Sequence, residues 1–388
     1  MTALTIFTMA NNENYDVVVV GAGIVGLAHA YHALNRGLRV AVVDHADSVT
    51  GASVQNFGHA CITAQAGTAL RYGRKGRRHW LDLAHKAGFW SRPAGTLCVA
   101  RHDDEQAMIA EFAAERGDRE VRVLNRTEIL DRLPIRPDGV TGGMYLPNDL
   151  QVDPRTAAPS IARWLESFGV SFHWRTAATH FDAGVVHTTR GDLRAPTIFV
   201  TVNYDIDRLF PEYADRDELQ RCRLHMLRAQ APLDFALPAP LFTGWSLVRY
   251  SGFAHLPSKD VVLQRLRTEY PDYADIDLHQ MYTPQPDGSI LVGDTHAKDV
   301  STSPFQSEKG FAVLIEEAEK LFGAPLTVTE RWQGVYSSAP AKEFLVEEPI
   351  AGVHVVTVTT GIGMTTSMGL AEESVERAFA RNDIRVPA

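Results

Sequence analysis

Cysteine, long apolar runs and basic charge are all scarce in this sequence of 388 residues. Its three cysteines, Cys61, Cys98 and Cys222, are far apart and form no CxxC pair, so we expect neither a disulfide framework nor a zinc site. No stretch comes near the roughly 18 consecutive apolar residues of a membrane helix, so we expect no membrane span. The formal net charge of −9 provides no basic surface for nucleic acid.

The remaining composition is ordinary for a globular protein, with 45% apolar and 22% charged residues. The length allows two domains or one large interleaved domain. Unpaired cysteines fit a reducing compartment, so we expect a cytoplasmic location. Residues 1–14 lack the basic and apolar segments of a signal peptide, and we expect them to form a flexible tail.

The segment Tyr15–Gly58 carries the clearest pattern in the chain. The β-branched run Val17–Val20 predicts a buried parallel strand. A glycine-rich turn, a helical segment and a second apolar run, Val40–Val43, follow it. Asp44 then comes 23 residues after Gly21, close to the spacing of roughly 20 residues at which an acid contacts a ribose. These parts together predict an adenine dinucleotide site on a βαβ unit, although a glycine-rich turn in another α/β fold is the alternative.

Each residue of this turn has a predicted role. Gly21 permits the tight turn, Gly23 lets a pyrophosphate approach the backbone, and Gly26 allows close packing of helix and strand. The helix N-terminus offers free N–H groups and a partial positive charge to the phosphates. The predicted cofactor-binding residues of this unit are therefore Gly21, Ala22, Gly23, Ile24, Val25, Gly26, Asp44 and His45.

Two further segments rich in small residues extend the predicted site. The loop between His45 and Gly58 offers backbone amides and hydrogen-bonding side chains, although a plain surface loop is the alternative. A second glycine-rich loop, 359–369, follows the apolar run His354–Val358 and leads into the closing helix. The predicted cofactor-binding residues here are Ala52, Ser53, Asn56, Phe57, Gly58, Gly361, Ile362, Gly363, Met364 and Thr365.

Two distant glycine-rich loops favour FAD over NAD. The first helix N-terminus would hold the pyrophosphate, and the last would stabilise negative charge on the flavin during reduction. Proteins that use both FAD and NAD usually carry another GxGxxG in mid-chain, and this chain has none. We therefore expect FAD as the cofactor and a small molecule as the electron donor.

The rest of the chain predicts two layers of different secondary structure. Helices are expected over 70–88, over Asp103–Arg116, after the Asp153 cap and after Ser307. Strands at 170–174, 185–188 and 197–202 are expected to return to the first sheet. Between about 211 and 334, short strands predict a separate antiparallel sheet; these are Leu224–Gln230, Val261–Arg265, Gln280–Thr283 and Ser289–Gly293.

Several motifs resemble the D-amino-acid oxidase superfamily, whose relatives include glycine oxidase and monomeric sarcosine oxidase. These motifs lie in three parts of the chain. They are the first βαβ unit with the loop after Asp44, the segment Asp287–Thr295, and the end of the chain. More narrowly, Ala52–Ala60, Glu330–Ser338 and Gly361–Thr365 are similar to a branch associated with phosphonate degradation.

The resemblance implies an α/β (α+β) fold with a Rossmann-like FAD-binding domain and an interleaved antiparallel-sheet substrate domain. The expected bounds are 15–95, 150–210 and 335–388 for the first domain, and 96–149 and 211–334 for the second. It also implies FAD contacts from Ala178, Thr201 and Gly334. Asn203 and Tyr204 stand where a smaller pair is usual, so we expect that contact to be rearranged.

Departures from the relatives concern the cofactor linkage and the substrate anion. Gly334 matches the cysteine that attaches FAD in sarcosine oxidases, so we expect FAD to bind non-covalently. Tyr336 and Thr365 match the positions of cations that hold a carboxylate in the relatives, which argues against a simple α-amino acid. The predicted substrate-binding residues are His59, Arg71, Thr283, His296, Arg331, Tyr336 and Thr365. Structural alternatives are a solvated face for Arg71, an ion pair of Arg331 with Glu330, and a strand-end cap for His296.

The resemblance implies oxidation of a small amine, most specifically an aminophosphonate such as 2-aminoethylphosphonate or an N-methylated form. A hydride would pass to flavin N5, the imine would hydrolyse to an aldehyde, and O2 would give hydrogen peroxide. His59 and Tyr336 are the predicted catalytic residues, with His59 as acceptor of the ammonium proton. Leu291 matches the oxygen-activating lysine of sarcosine oxidases, so a dehydrogenase with another electron acceptor is the alternative, and a flavin-binding sensor is a third. We expect no metal and no nucleic-acid partner; the oligomeric state stays open.

Overall fold

The computed structural model describes residues 14–383. The expected flexible tail, residues 1–14, therefore lies outside the described residues except for Asn14. That residue forms an isolated β-bridge with Arg194. Within the described range, no helix combines the length and the apolar character needed to cross a bilayer.

The helices and strands are numbered separately in chain order. The strands are β1 (Val17–Val20), β2 (Val40–Val43), β3 (His59–Ala60), β4 (Ser91–Arg92), β5 (Thr96–Ala100), β6 (Arg122–Asn125), β7 (Gly142–Leu146), β8 (Leu150–Val152), β9 (Ser171–His173), β10 (Ala178–Asp182), β11 (Val185–Thr188), β12 (Leu193–Arg194), β13 (Thr197–Val200), β14 (Gln220–Gln230), β15 (Leu241–Phe242), β16 (Met281–Pro284), β17 (Ile290–Asp299), β18 (Thr327–Ser338), β19 (Phe344–Ile350) and β20 (Val353–Val358).

The helices lie between groups of these strands, and the last one follows β20. They are α1 (Ile24–Leu34), α2 (Gly67–Ala87), α3 (Asp103–Arg116), α4 (Arg126–Arg132), α5 (Pro154–Ser167), α6 (Ile206–Leu209), α7 (Pro211–Arg216), α8 (Gly244–Leu247), α9 (Lys259–Glu269), α10 (Pro271–Asp275), α11 (Glu308–Phe322) and α12 (Gly363–Asp383), with 3-10 turns at Asn203–Asp205 and Ser251–Phe253.

A six-stranded sheet, in the order β19-β20-β13-β1-β2-β9, forms the first layer. Its pairings are parallel except for β19 with β20. Alternate valines of β1 point to opposite faces, so Val17 and Val19 pack with α1, α2, α5 and α12. Val18 and Val20 join a second core on the other face. Both faces are covered, which explains the continuous apolar run of this strand.

An eight-stranded sheet, in the order β18-β14-β17-β16-β15-β5-β7-β6, forms the second layer. Its pairings are antiparallel except for β15 with β5, and its core includes residues of α3, α9 and α11. The resulting mixed fold, with a Rossmann-like sheet and an antiparallel-rich sheet, is the predicted fold class. The expected domain bounds themselves stay a prediction.

Several local predictions are confirmed because they depend on short-range interactions. Helix α3 spans the predicted Asp103–Arg116. The Asp153 side chain accepts a hydrogen bond from the Arg155 N–H at the start of α5. Ser307 likewise caps α11, which ends before Gly323 in the left-handed region.

Two strand predictions are wrong. Val261–Arg265 belongs to helix α9, in which Val262 and Leu266 are buried at a spacing of four residues. Val185–Thr188 is a strand, but β11 pairs with β10 and β12 in a separate three-stranded sheet instead of returning to the first sheet. A turn at Gly184, which has φ +78°, joins β10 and β11 into a local hairpin.

Candidate active site

A cavity of about 1310 Å³ joins the carboxyl edge of the six-stranded sheet to the eight-stranded sheet. Residues at the ends of β1, β2, β13 and β20 line one part of it, and residues of β17 and β18 line another. The carboxyl edge of a parallel sheet is where open α/β folds bind their ligands. The cavity is therefore the candidate active site.

Close backbone packing shapes the end of the cavity near α1. Gly21 has φ +103°, and a Cβ atom there would lie 2.8 Å from the Thr201 carbonyl oxygen. A Cβ atom on Gly26 would lie 1.9 Å from the Gly21 carbonyl oxygen. Only glycine at both positions allows α1 to start this close to β1 and β13.

Hydrogen bonds tie the neighbouring loops to the start of α1. One Asp44 carboxylate oxygen accepts from the Ala22 N–H at 2.7 Å, and the other accepts from the Ala46 N–H at 2.9 Å. The Ser53 hydroxyl accepts from the Ile24 N–H at 2.8 Å. Gly23 itself provides no side-chain cap, so the helix dipole and the first-turn N–H groups other than that of Ile24 are available to an anion.

The second glycine-rich loop lines the same cavity, next to the start of α1. Gly361 has φ +76°, and a Cβ atom there would lie 2.7 Å from the Tyr336 ring. Helix α12 begins at Gly363 and its first residues line the cavity. Two helix N-termini therefore line one cavity of about 1310 Å³, which offers two partial positive charges to a cofactor with a pyrophosphate and a ring system. The residues present fit FAD.

Most of the predicted cofactor-binding residues line the cavity. Gly26 and Gly58 do not: Gly26 packs on Gly21, and a Cβ on Gly58 would lie 1.9 Å from the Val152 carbonyl oxygen. These two glycines therefore support the fold behind the cavity wall. The predicted residues that line it are Gly21, Ala22, Gly23, Ile24, Val25, Asp44, His45, Ala52, Ser53, Asn56, Phe57, Ala178, Thr201, Gly334, Gly361, Ile362, Gly363, Met364 and Thr365.

The bulky pair after β13 also lies on the cavity wall. Asn203 adopts φ 57°, and its side-chain oxygen accepts a hydrogen bond from the Ser337 N–H at 2.9 Å. Arg221 stacks over the Tyr204 ring at 4.7 Å from its centroid. The Asn203 side chain thus links β13 to β18.

A buried polar cluster lines the cavity beside the eight-stranded sheet. The Asp294 carboxylate lies 2.9 Å from His279 Nδ1 and 3.4 Å from His296 Nε2. The rings of His296 and Tyr336 are 6.5 Å apart, edge to face. Arg249 Nη1 donates to the Asp277 carboxylate at 2.8 Å. This cluster brings cationic, hydroxyl and imidazole groups to one wall.

Within this cluster, His296 is neutral and Arg249 is charged at pH 7. Burial, and then the positive charge of Arg249, lower the pKa of His296 to about 4, so its imidazole is neutral at pH 7. Burial alone would lower the pKa of Arg249, but nearby Tyr336, Asp277 and Asp294 raise it above its ordinary value. Arg249 is therefore a permanent cation on the cavity wall.

His59, the predicted proton acceptor, is buried on β3 and lines the cavity. Its Nε2 lies 2.6 Å from the Thr96 hydroxyl, which donates to Asp149 at 2.8 Å. Burial, and then the nearby His279, lower the pKa of His59 to about 3. His59 is therefore a neutral hydrogen-bonding group at pH 7.

Three predicted substrate-binding residues, Arg71, Thr283 and Arg331, do not line the cavity. Arg71 bonds Glu373 and covers the Tyr72 ring. Arg331 is exposed, lies 3.9 Å from Glu308 and covers the Phe311 ring. The remaining predicted substrate residues, His59, His296, Tyr336 and Thr365, do line the cavity.

Different contacts explain these displaced residues. Thr283 is buried and donates to the Phe57 carbonyl oxygen at 3.1 Å. Arg331 stands five positions before Tyr336 on β18, so the two side chains point to opposite faces of the strand. The expected ion pair of Arg331 with Glu330 is also wrong, because Glu330 lies 2.6 Å from Arg155 and 3.4 Å from Arg228.

Sequence patterns did not indicate several cavity residues. Arg249 follows the four-residue helix α8, in a segment without periodicity. His279 and Asp294 come from two segments that only the sheet brings together, and Lys298 extends β17 beyond them. The segment 277–298 gives no compositional signal for these residues, because its share of ionisable side chains is close to that of the whole chain.

Comparisons with solved structures agree on the fold. Glycine oxidase from Geobacillus kaustophilus superposes with a TM-score of 0.74 at 19% identity, covering 94% of this chain and 95% of that one. L-amino acid deaminase from Proteus vulgaris superposes with a TM-score of 0.75 at 16% identity, covering 95% of this chain and 94% of that one. An L-alpha-glycerophosphate oxidase from Mycoplasma pneumoniae, solved with FAD bound, gives a TM-score of 0.75 at 18% identity and covers 95% of both chains.

Curated relatives match over shorter stretches. Glycine oxidase from Bacillus licheniformis is 23% identical over 192 residues, covering 46% of this chain and 50% of the relative. D-amino acid dehydrogenase from Helicobacter pylori strain J99 is 22% identical over 244 residues, covering 48% of this chain and 59% of the relative. The aligned region thus spans between half and three fifths of these relatives.

The family comparison covers nearly the whole chain. Residues 16–377 match the family described as "DAO: FAD dependent oxidoreductase". This agrees with the paired helix N-termini, with Asp44 at the end of β2, and with the fold comparisons. The chain belongs to the DAO family of FAD-dependent oxidoreductases.

Proposed function

We propose that this protein uses non-covalently bound FAD to oxidise a small amine that carries an anionic phosphonate group. The observation that carries the substrate class is Arg249, a cation on the cavity wall beside Tyr336 and His296. Both an amine oxidase and an amine dehydrogenase need an uncharged amine to approach the flavin. The phosphonate group is the feature that distinguishes the proposed substrate from simple amines.

The chain's own residues would hold the cofactor. The N–H groups at the start of α1 would bind the pyrophosphate, Asp44 would hold the ribose, and the start of α12 would face the flavin. Gly334 carries no side chain that could form a covalent link, which supports non-covalent binding. When bound, FAD supplies the acceptor for a hydride from the substrate's α-carbon, and O2 then takes the two electrons to give hydrogen peroxide.

Arg249 supports an anionic substrate in a way that the matched positions do not. Tyr336 and Thr365, which line the cavity, offer hydroxyl donors where a cation holds the carboxylate in the relatives. Arg249 and Lys298 bring positive charge to the cavity from other segments. A phosphonate presents three oxygens, so a guanidinium, an ammonium and hydroxyl groups can all donate to it.

The side chain of Arg249 is held in place before substrate binds. Its bond to Asp277 at 2.8 Å uses Nη1, and a guanidinium has five N–H donors, so others remain for a second anion. The side chain is 24% exposed although it lies beside buried groups. A fixed guanidinium loses little conformational entropy when it binds a phosphonate.

The buried surroundings would favour the reacting form of the amine. Desolvation lowers the pKa of an ammonium group, so the substrate would bind or become uncharged near the flavin. Loss of a hydride from the α-carbon gives an imine, and water then yields an aldehyde with ammonia or methylamine. The residues of the site orient the substrate by its anion and exclude water from the flavin.

The decisive experiment is anaerobic reduction of the FAD-loaded protein, followed by its visible absorbance near 450 nm. We expect 2-aminoethylphosphonate or its N-methyl form to bleach the flavin, and glycine and sarcosine to leave it oxidised. Bleaching by glycine or sarcosine at comparable rates would contradict the phosphonate preference. A protein that takes up no FAD would contradict the proposal as a whole.

A second candidate function is a dehydrogenase that passes electrons from an amino acid or hydroxy acid to an acceptor other than O2. Leu291, buried on β17, stands at the position matched to an oxygen-activating lysine. A D-amino acid dehydrogenase is also among the curated relatives. Mixing the reduced protein with O2 separates the two: rapid flavin reoxidation with stoichiometric peroxide favours the oxidase, whereas slow reoxidation with rapid quinone reduction favours the dehydrogenase.

A further inference from the structure

A chain of three buried side chains leads from the cavity wall into the second layer. His59 lies on β3, Thr96 begins β5, and Asp149 precedes β8. The side chains of His59 and Asp149 are 3% and 0% exposed. The hydrogen bonds run from His59 Nε2 to Thr96 Oγ1 at 2.6 Å and from Thr96 Oγ1 to Asp149 Oδ2 at 2.8 Å.

Asp149 is arranged as an acceptor. Its Oδ1 atom accepts from the N–H groups of Ile62 and Thr63 at 2.9 and 2.8 Å, and from the Thr63 hydroxyl at 3.0 Å. Its Oδ2 atom takes the Thr96 hydroxyl. Four donors on one carboxylate stabilise its ionised form. They also leave little coordination capacity for a metal, although His59, Cys61 and Asp149 lie close enough together to hold one.

The direction of these hydrogen bonds determines which ring nitrogen of His59 carries the hydrogen. A threonine hydroxyl has one hydrogen, and Asp149 takes it, so the Thr96 oxygen must accept from His59. Nε2 therefore carries the imidazole hydrogen and Nδ1 carries a lone pair. The buried Nδ1 atom has no hydrogen-bond donor among the described residues, and leaving a buried acceptor unpaired is unfavourable.

We propose that Asp149 and Thr96 are positioning residues that hold His59 in the Nε2–H tautomer, so that Nδ1 accepts a hydrogen bond from the substrate's amine N–H. This inference rests on the proposed function for the identity of the donor. The tautomer itself follows from the protein's own hydrogen bonds. His59 would thereby fix the amine nitrogen while Arg249 fixes the anion at another point of the cavity.

A change in pH supplies an independent sign of this arrangement. Burial raises the pKa of Asp149 to about 6, against the effect of its donors. Below that pH, protonated Asp149 donates to Thr96, the Thr96 hydroxyl turns to His59 Nε2, and the imidazole hydrogen moves to Nδ1. The other titratable groups near His59 are Cys61, which follows β3, Tyr250 beside Cys61, and His279 before β16. Burial raises the pKa of Cys61 and of Tyr250, so both are neutral in this range.

The test variant is Asp149→Asn, which keeps the size of the side chain. The amide oxygen can retain the donors at Oδ1, but the amide nitrogen donates to Thr96 and so reverses the hydrogen-bond direction. With 15N-labelled histidine in the free protein at pH 7.5, we expect the protonated nitrogen of His59 to change from Nε2 to Nδ1. The His59→Gln spectrum assigns the signal.

The same variant has an expected effect on the reaction. The rate of flavin reduction by saturating 2-aminoethylphosphonate should fall by about 100-fold, the upper end of the effect of one unmade buried hydrogen bond. In the original protein we expect that rate to fall below about pH 6, where Asp149 becomes protonated. This fall should disappear in the variant. An unchanged tautomer, or an unchanged pH profile with an unchanged rate, would overturn the inference.

Thr96 provides a second pair of variants in case Asp149→Asn does not fold. Thr96→Val keeps the shape and removes the hydroxyl, so we expect His59 to show a mixture of tautomers and slower reduction. Thr96→Ser restores the hydroxyl and should restore the Nε2–H tautomer. Equal spectra for the valine and serine variants would overturn the role of Thr96. If no amine reduces the flavin, the assignment of the substrate's amine N–H as the donor to His59 fails together with the proposed function. The 15N spectra of the free protein test the tautomer of His59 separately.

Discussion

Arg249 is the single residue on which the proposed substrate class depends most. It stands in an irregular segment after α8, and its contact with Asp277 arises only when residues 28 positions apart come together. Arg71 and Arg331 look equally suitable in the sequence, but ion pairs and ring contacts hold them elsewhere. The sequence supplies several cations, and their directions decide which one meets the ligand.

Replacing Arg249 with methionine should weaken phosphonate binding by removing the charge but retaining most of the volume. We expect KM for 2-aminoethylphosphonate to rise by about 10- to 100-fold, the loss of a charge-assisted hydrogen bond, with kcat changing less. Asp277 is 47% exposed, so the variant does not leave a fully buried charge unpaired. Steady-state kinetics with peroxide detection measures both constants.

Arg331→Met is the matched control, because Arg331 is 42% exposed and lies outside the cavity. Its KM should stay within about twofold of the original, since isolated exposed charges contribute little. Equal increases in KM for Arg249→Met and Arg331→Met would contradict the placement of the anion at Arg249. The same result would return Arg331 to the substrate site.

At the scale of elements, the ends of helices and strands were predictable and their partners were not. The glycine turn before α1, the caps of α5 and α11, and the glycine loop before α12 depend on residues a few positions apart. The place of β11 outside the first sheet depends on competition between distant strands. Val261–Arg265 is apolar enough for a strand, and only its packing reveals a helix.

The loop before α12 gives an element-scale prediction. Gly361→Ala should destabilise the protein and weaken FAD binding, because its Cβ atom would meet the Tyr336 ring at 2.7 Å. The backbone at φ +76° adds about 1–2 kcal/mol of strain for alanine. Thermal unfolding and fluorescence titration with FAD measure the two effects.

Gly37→Ala is the control for that backbone strain. Gly37 has the same φ of +76°, but a Cβ atom there would meet nothing within 4 Å. We expect this variant to lose about 1–2 kcal/mol of stability and to retain its FAD affinity. If both variants bind FAD equally well, the ring contact at Gly361 is unimportant for the cofactor site.

At the scale of the whole molecule, buried histidines make folding sensitive to acid. Burial is the first cause that lowers the pKa of four of them: to about 4 for His29 and His296, and to about 3 for His32 and His59. In the unfolded chain they would titrate near pH 6.5. The unfolded state therefore binds more protons as the pH falls from 6.5 towards these values, and stability is lost over that range.

Urea unfolding at pH 7.5 and at pH 5.5 measures this loss. Each such histidine should contribute up to about 1.4 kcal/mol of destabilisation per pH unit below 6.5. His32→Gln, in which the buried ring that contacts the Met368 carbonyl oxygen is removed, should make the dependence shallower by about one proton. His180→Gln, at a side chain that is 71% exposed, should leave the slope unchanged. Equal slopes for the two variants would contradict this origin of the acid sensitivity.

The sequence by itself determined the βαβ unit, the second glycine loop and hence the FAD-dependent family, because these features depend on local geometry. Gly21 and Gly361 are specified by backbone angles, and Asp44 by its place at the end of a strand. Only the tertiary structure decided that Arg249 enters the cavity, that Arg71 and Arg331 do not, and that Asp149 reaches His59 through Thr96. These contacts join segments far apart in the chain, and no local pattern encodes which side chain the packing of two sheets will bring to a common wall.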